Sequence, residues 1–485
     1  MFRNGNFVEQ LLLGGSLTLR SPVDRLARGL AGGIAIDWIR RIAGWRAVLL
    51  CGFVLALAGA AALLDHLSLD YDELFSIYFA ERGPSFLLNE GWRHETNPPL
   101  YFLLLDGWIG LFGDSAVAVR SLSLLFGAAT IPVVFAIGRA VARQSGRGDG
   151  MAWLAAALYL TTAVTARYAL MARPYSLSLL FIAVAALALV QAIDAPPVRV
   201  RRWSLIFAAA GLVALYAHDA ALFFLAAAEA VFALDWLIRR RKTLRILADW
   251  LLPQLLLLGG AAPQLAIILA QRNSANLAWI PPSSLAGWTQ YTIELLSGHE
   301  YPFGTLQAQA LSATVLVLLV VVPLRTRRSA VAPLAALTVL GLALLAGTGI
   351  LLPRTALWLL IPAAVLQAAA LATLPRGWAI GAVALATLNT GFCLWEFQPE
   401  PWREYLADLD AARQPGDAVI LLNGVPAMAL RYYHAADEAE LYRWDATPID
   451  GPGTAIRALD DSVSPLTPID EERIRALLQQ GRPSG

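Results

Sequence analysis

Long apolar runs recur along most of this chain, and they constrain its fold more than any other feature. A helix needs about 20 predominantly apolar residues to cross the roughly 30 Å of hydrocarbon in a bilayer. About eleven runs meet or approach that length. They cover residues 47–64, 115–141, 150–166, 175–193, 203–216, 220–238, 248–270, 306–324, 330–351, 355–374 and 378–395. The sequence therefore predicts an all-α polytopic membrane protein with about eleven transmembrane helices.

Composition supports this class, because 58% of the 485 residues are hydrophobic and 15% are charged, with a mean hydropathy of +0.58. Soluble domains are less apolar and more charged. The net charge of +1 gives no indication of a nucleic-acid partner. We therefore expect the bilayer to be the main environment of the chain.

The positions of the arginines predict the orientation of the helices. Short cytoplasmic loops are enriched in Lys and Arg. Basic residues precede the first run and then cluster in alternate connections, at 139–147, 199–202, 239–245, 325–328 and Arg376. This pattern predicts a basic cytoplasmic region at 1–46, an uncleaved first run acting as signal anchor, and a multi-pass protein of a bacterial cytoplasmic membrane.

Three domains follow from this topology: the basic N-terminal region 1–46, a transmembrane domain at 47–395, and a C-terminal region at 396–485. An odd number of spans places the last region outside the cytoplasm. Residues 416–422 read as a turn and a buried strand, and 426–433 as a helix, which predicts a small extracytoplasmic α/β domain with a flexible tail. In the first outer loop, the half-hydrophobic segment 100–112 predicts helices lying along the membrane surface.

The predicted outer side collects nearly every polar residue that could perform chemistry. An ionised side chain costs roughly 2.5 to 3.5 kcal/mol at the bilayer centre, so an acidic group at the exit of the first run indicates a function at the membrane surface. The candidates on this side are Asp72, Glu73, His94, Glu95, Asn97, Arg167, Arg173, Tyr175, His218 and Arg354.

Five short segments, taken in their order along the chain, resemble a known family. They are Asp72-Glu73, the run from Glu95 to Tyr101 (ETNPPLY), Ala172-Arg173-Pro174-Tyr175, Leu215-Tyr216-Ala217-His218 and Leu352-Pro353-Arg354. Their order resembles that of polyprenyl-phosphate-sugar glycosyltransferases of the GT-C type, the group that includes protein O-mannosyltransferases and the lipid A aminoarabinose transferase. The resemblance covers about residues 50–374.

The resemblance implies an enzyme that moves a sugar from a polyprenyl-phosphate donor to a hydroxyl of a glycan, lipid or protein acceptor, at the outer (periplasmic) face of the membrane. Such enzymes usually invert the anomeric centre in a single displacement. It implies Asp72 as the base, with Glu73 either as the base instead or as the group that orients it. Arg173 and Arg354, with Arg167 as a third candidate, would hold the donor phosphate.

The same resemblance implies substrate-binding roles for Glu95, Asn97, Tyr175 and His218, and it raises the question of a divalent metal ion. His94 and Glu95 are the candidate ligands. The family frequently has Asp-x-His-Pro-Pro where this chain has an amide, Asn97, so no imidazole ligand is available at that position. No cofactor is firmly implied.

Two other functions stay open at this point. A polymerase or ligase of lipid-linked glycans would use similar chemistry, but such enzymes usually concentrate function in a large late outer loop. A flippase or transporter would be expected to show internal repeats or interrupted helices. The first outer loop, with its paired carboxylates, favours the glycosyltransferase.

Overall fold

The computed structural model describes residues 62–238, 243–272, 284–298, 331–397, 399–412, 414, 418–421, 425–433, 440–444 and 467–469. The predictions for the region 1–46, for most of the run 47–64, for the run 306–324 and for the arginines at 325–328 lie outside these residues. The predicted boundaries of the three domains stay predictions.

The first outer loop consists of short helices: α1 (Tyr71–Glu81), α2 (Gly83–Asn89), a 3-10 turn (Gly91–Arg93) and α3 (Leu100–Phe112). The 13 residues of α3 are too few to span a bilayer. A reciprocal capping box fixes the start of α1, because Asp70 accepts the Glu73 backbone N–H at 2.9 Å and Glu73 accepts the Asp70 N–H at 3.1 Å. The placement of these helices along the membrane surface stays a prediction.

The loop is followed by the long helices of the chain, with several short ones between them. They are α4 (Ala116–Gln144), α5 (Gly150–Leu160), α6 (Ala163–Ala169), α7 (Tyr175–Asp194), α8 (Pro197–Ala217), α9 (Ala221–Ile238), α10 (Leu244–Gln271), α11 (Leu285–Ser297), α12 (Ala332–Thr348), α13 (Pro353–Ala356), a 3-10 turn (Leu357–Leu359), α14 (Leu360–Leu371) and α15 (Arg376–Glu396). Within the described residues, 7 helical segments are long and apolar enough to cross a membrane, where α13, the 3-10 turn and α14 count as one. The chain is therefore a multi-pass, mostly helical membrane protein.

The predicted run 150–166 is not a single helix, and this prediction was wrong. Helix α5 ends at Leu160, Thr162 has an extended backbone, and α6 restarts at Ala163. The Thr161 and Thr162 hydroxyls each donate at 2.9 Å to carbonyls of the preceding turn, those of Ala157 and Leu158. Threonine hydroxyls compete in this way with the helical backbone pattern. The run 330–351 also yields a short helix, α12, so the count of about eleven spans is not confirmed.

Close helix contacts in the bundle depend on small side chains. Helix α7 lies between α4 and α8 and buries a series of alanines, among them Ala183 and Ala188. Gly341 on α12 faces Trp358, and a methyl group at this glycine would clash with the indole ring. Membrane helices associate mainly through such packing, because lipid is as apolar as their side chains.

The C-terminal region contains α16 (Trp402–Ala412), β1 (Ala418–Leu421), α17 (Val425–Tyr432), β2 (Glu440–Trp444) and β3 (Thr467–Ile469). The three strands form a parallel sheet in the order β1-β2-β3. A strand and a helix therefore occur where the sequence predicted them. Helix α17 packs on α1, where the Tyr78 hydroxyl donates to the Met428 carbonyl at 3.1 Å. A separate extracytoplasmic α/β domain stays a prediction.

Candidate active site

Asp72 lies in the first turn of α1, between two arginines from distant parts of the chain. Its Oδ2 is 4.0 Å from Nε of Arg173 and 3.8 Å from Nη1 of Arg354. The Asp72 side chain is 33% exposed and that of Arg354 is 29% exposed, so the group is open on one side. The structure thus brings together the carboxylate and the two guanidinium groups that the sequence singled out.

Arg173 lies in the turn between α6 and α7 and is buried. Its Nη1 is 3.5 Å from Glu95 Oε2 and donates to the Ser76 hydroxyl at 3.2 Å and to the Asp72 carbonyl at 3.3 Å. Burial alone would lower the pKa of this guanidinium, but the Asp72 and Glu95 carboxylates outweigh it and raise the pKa well above its ordinary value. Arg173 is therefore a fixed positive charge.

Glu73 points away from the open side and is buried against α4. Arg120 donates from Nε to Oε1 at 2.8 Å and from Nη2 to Oε2 at 2.6 Å, and the Ala172 N–H donates to Oε1 at 2.9 Å. Arg120 also donates to the carbonyls of Leu64 and Ser68. These contacts join the start of α1 to α4 and to the Arg173 turn.

Sequence analysis did not identify Arg120. A signal existed, because an arginine inside an apolar run is costly unless it has a partner. The identity of that partner depends on the packing of α4 against α1, which the sequence pattern does not show.

Glu95 is held by its own loop as well as by Arg173. Its Oε1 accepts the backbone N–H and the side-chain amide of Asn97, both at 2.8 Å. The loop in turn is anchored to α10, because the Gln271 side-chain amide donates to the Glu95 carbonyl at 3.0 Å. Asn97 thus orients Glu95, and Glu95 orients Arg173.

Tyr175 and His218 pack next to each other behind the arginines, with ring centroids 5.3 Å apart. His218 Nδ1 accepts the Ala220 N–H at 3.0 Å. Burial, followed by the charges of Arg173 and Arg354, lowers the pKa of His218 to about 3. The imidazole is therefore neutral, and its proton is on Nε2 because Nδ1 is the acceptor.

Asp219, the neighbour of His218, is a buried acid that sequence analysis did not select. Burial and the charge of Glu95 raise its pKa to about 8, although the Gln264 amide donates to it at 2.9 Å. The sequence placed its neighbour His218 on the outer side but gave no indication that Asp219 is buried, because its contact with Gln264 depends on the packing of α10.

Two further candidates, Arg167 and His94, make other contacts. The Arg167 guanidinium lies 4.0 Å from the ring centroid of Phe397. The His94 ring stacks on Phe86, and burial lowers the pKa of His94. The described residues contain no group of three or more His, Cys, Asp or Glu side chains that could hold a metal ion. Because the Glu95 oxygens face Asn97 and Arg173, His94 and Glu95 do not fit a metal site.

The fold that contains this site is similar to that of solved structures. The crystal structure of ArnT from Cupriavidus metallidurans in the apo state is similar with a TM-score of 0.60 and 14% identity, over 91% of this chain and 92% of that chain. The chain has the ArnT fold. The structure of ArnT bound to undecaprenyl phosphate is similar with a TM-score of 0.55 and 13% identity, over the same shares of the two chains.

Sequence comparison agrees with the fold. The family model of dolichyl-phosphate-mannose-protein mannosyltransferases matches residues 96–266. This range begins one residue after Glu95 and includes Asn97 and the Arg173 turn. No curated protein is significantly similar to the chain. The predicted resemblance to GT-C type glycosyltransferases is confirmed, and the findings support a glycosyltransferase.

Proposed function

We propose that this protein is a membrane glycosyltransferase that moves a sugar from a polyprenyl-phosphate donor to an acceptor hydroxyl. The ArnT structure bound to undecaprenyl phosphate supports a donor with a polyprenyl-phosphate carrier. By the arginine pattern of the sequence, the site faces the outer side of a bacterial cytoplasmic membrane.

The proposal rests on one observation. Asp72 lies within 4.0 Å of both Arg173 and Arg354. A single displacement at an anomeric carbon needs a base for the incoming hydroxyl and fixed cations for the leaving phosphate. An aspartate and two arginines at one open site supply both.

In the proposed reaction, Asp72 accepts the proton of the acceptor hydroxyl while its oxygen bonds to the anomeric carbon. The bond from that carbon to the phosphate oxygen breaks, and the electron pair leaves with the polyprenyl phosphate. Arg173 and Arg354 stabilise the charge that develops on the phosphate. Attack opposite the leaving group inverts the anomeric centre.

The other polar residues fit supporting roles in this scheme. The oxygens of Glu73 are occupied by Arg120 and backbone N–H groups, which favours an orienting role for Glu73 over that of the base. Glu95 and Asn97 keep Arg173 in place. Tyr175 and neutral His218 border the arginines and are proposed to contact substrate, and Arg167 is proposed as a more distant phosphate contact.

The test is mass spectrometry of envelope glycolipids and glycans from cells without the gene, complemented with wild type, Asp72→Asn or Asp106→Asn. Asp106 is a carboxylate on α3 outside the site and is the matched control. We expect wild type and the control to restore a glycan species that carries one added sugar, and Asp72→Asn to lose it. Loss of a general base typically lowers the rate by about 10²- to 10⁴-fold.

Two outcomes would contradict the proposal. Restoration by Asp72→Asn at the wild-type level would remove the assignment of the base. Addition of a multi-sugar unit in place of a single sugar would favour a ligase of lipid-linked glycans.

A further inference from the structure

The turn between α8 and α9 contains a polar contact that the proposed function does not use. The Asp219 carboxyl accepts a hydrogen bond from Gln264 Nε2 at 2.9 Å, and within the described residues no cation acts on it. The other atom of the same amide, Gln264 Oε1, is buried and has no hydrogen-bond partner in the part of the chain that the structure describes. Nearly all buried polar atoms of folded proteins are hydrogen-bonded. A carboxyl group without a cation thus lies beside an amide oxygen without a donor.

The groups around Asp219 oppose its ionisation. Among the described residues, the charged group that acts on it is the Glu95 carboxylate, which has the same sign. The neighbouring imidazole of His218 is neutral and is no counterion. From α10 the turn meets the uncharged amide of Gln264. Burial and the charge of Glu95 together raise the pKa of Asp219 to about 8.

One proton on Asp219 accounts for both features of the contact. A neutral carboxyl group has an O–H donor beside an acceptor oxygen. A primary amide has an N–H donor and a carbonyl acceptor at matching positions. The two groups can therefore close a ring of two hydrogen bonds, in which Gln264 Nε2 donates to Oδ1 and the O–H on Oδ2 donates to Gln264 Oε1. An ionised carboxylate makes only the first of these bonds.

We infer that Asp219 is a neutral carboxylic acid in a two-point pair with Gln264, and that it is a positioning residue of the candidate active site. The pair fixes the turn that bears His218 to α10. This role rests on the proposed function, in which His218 contacts substrate.

Helix α10 connects this pair to the phosphate-binding side of the site. Gln271 lies two turns beyond Gln264 on the same helix and donates to the Glu95 carbonyl at 3.0 Å. The Glu95 carboxylate in turn contacts Arg173 Nη1 at 3.5 Å. The two amides of α10 therefore hold the His218 turn and the Glu95 loop in a fixed relation.

Loss of the proton from Asp219 should weaken binding of the donor phosphate. It removes the hydrogen bond from the acid to Gln264 Oε1, which loosens the His218 turn, and it adds a negative charge that acts on Glu95. Asp219 is partly exposed, so protons can exchange with it. Binding of undecaprenyl phosphate should therefore weaken as the pH rises through about 8.

The first experiment detects the proton by infrared spectroscopy of the purified full-length protein, in which aspartate is labelled with heavy carbon. The label separates the C=O band of aspartic acid from the bands of glutamic acid and lipid. We expect a band of protonated aspartate that persists to about pH 8 and is missing from Asp219→Asn. Asp70→Asn removes another aspartate with a raised pKa and should keep the band. This second variant tests the proton without a substitution at Asp219.

The second experiment measures the Kd for undecaprenyl phosphate from about pH 6 to about pH 9. Asp219→Asn is the conservative variant, because its amide can donate to Gln264 Oε1 at every pH. We expect wild type and Asp219→Asn to bind equally at the lower pH, and wild type to bind about three- to tenfold more weakly at the higher pH. A purely structural role would change the Kd by the same factor throughout. Asp106→Asn, which removes a carboxylate outside the site, should follow wild type.

Three results would overturn the inference. If the infrared spectra of wild type and Asp219→Asn contain the same aspartic-acid bands, Asp219 is ionised and the two-point pair does not form. A constant ratio of the two Kd values across the pH range would remove the positioning role. Absence of undecaprenyl phosphate binding by wild type at every pH would contradict the proposed function, and the positioning role with it, while the infrared band would still decide the pairing.

Discussion

Glu73 and Arg120 form a two-point ion pair, with N–O distances of 2.8 and 2.6 Å, that joins the start of α1 to α4. The side chains are 2% and 6% exposed. Because Asp72 precedes Glu73 directly, this pair fixes the direction in which Asp72 faces. Of the two adjacent carboxylates, Asp72 is thus partly exposed at the site, and Glu73 is buried and holds Asp72 in position.

Removing either member of this pair should destabilise the protein strongly. Glu73→Gln or Arg120→Met leaves an uncompensated buried charge, which costs about 3–5 kcal/mol. The double variant should cost less than the sum of the two, because it leaves no lone charge. The apparent melting temperature in detergent measures these effects.

The matched control for this cycle is Arg403→Gln, which removes an ion pair with Asp65 whose side chains are 36% and 70% exposed. A pair this exposed contributes about 0–1 kcal/mol. Additive losses in the Glu73 and Arg120 variants would show that the two residues act independently.

Arg354→Ala should weaken binding of the donor phosphate. A charge-assisted hydrogen bond contributes about 1.5–3 kcal/mol, which corresponds to about a ten- to hundredfold change in Kd. The Kd for undecaprenyl phosphate, measured by titration of the purified protein, tests this. Arg93→Ala removes an exposed arginine of the first outer loop and should leave the Kd unchanged. Equal losses in the two variants would indicate a general electrostatic effect.

The sequence was sufficient to select Asp72, Arg173 and Arg354, which the structure places in one group. The resemblance to GT-C type glycosyltransferases singled out these three among the polar residues of the predicted outer side, and each lies next to a predicted span. The apolar pattern likewise predicted most of the long helices.

The sequence was insufficient where tertiary packing decides the outcome. The partner of Arg120, the pair of Asp219 and Gln264, and the anchoring of the Glu95 loop by Gln271 all join segments that are far apart in the chain. The break at Thr161 and Thr162 depends on local hydroxyl contacts within an apolar run. The pattern of apolar residues along the chain does not predict these contacts.

Asp70 should give the stability a measurable pH dependence. Burial, followed by the charges of Glu73 and Asp72, raises the pKa of Asp70 to about 7, against about 3.9 in an unfolded chain. Between these values the folded state binds more protons than the unfolded state, so stability falls as pH rises from about 4 to 7. Asp70→Asn keeps an N-cap residue and should raise the melting temperature at pH 8 by a few degrees.

The difference in melting temperature between Asp70→Asn and the wild type isolates the effect of Asp70. Asp219 also makes stability depend on pH, but it does so equally in both proteins. The advantage of the variant should shrink as pH falls toward 4, where Asp70 is protonated in the folded state. Asp106→Asn controls for the loss of a negative charge. A constant difference across this pH range would contradict the role of Asp70.

Tyr433→Phe tests whether the C-terminal region positions the candidate base. The Tyr433 hydroxyl accepts the Leu69 N–H at 2.8 Å, one residue before the cap of α1, and α17 packs on the same helix. Because a small shift of α1 moves Asp72 relative to the arginines, the turnover number should fall by about tenfold, while one lost hydrogen bond costs only about 1 kcal/mol of stability. Tyr405→Phe, at an exposed tyrosine of α16, should leave the turnover number and the stability unchanged. Full turnover by Tyr433→Phe, measured beside an unchanged Kd for undecaprenyl phosphate, would show that the C-terminal region does not position Asp72.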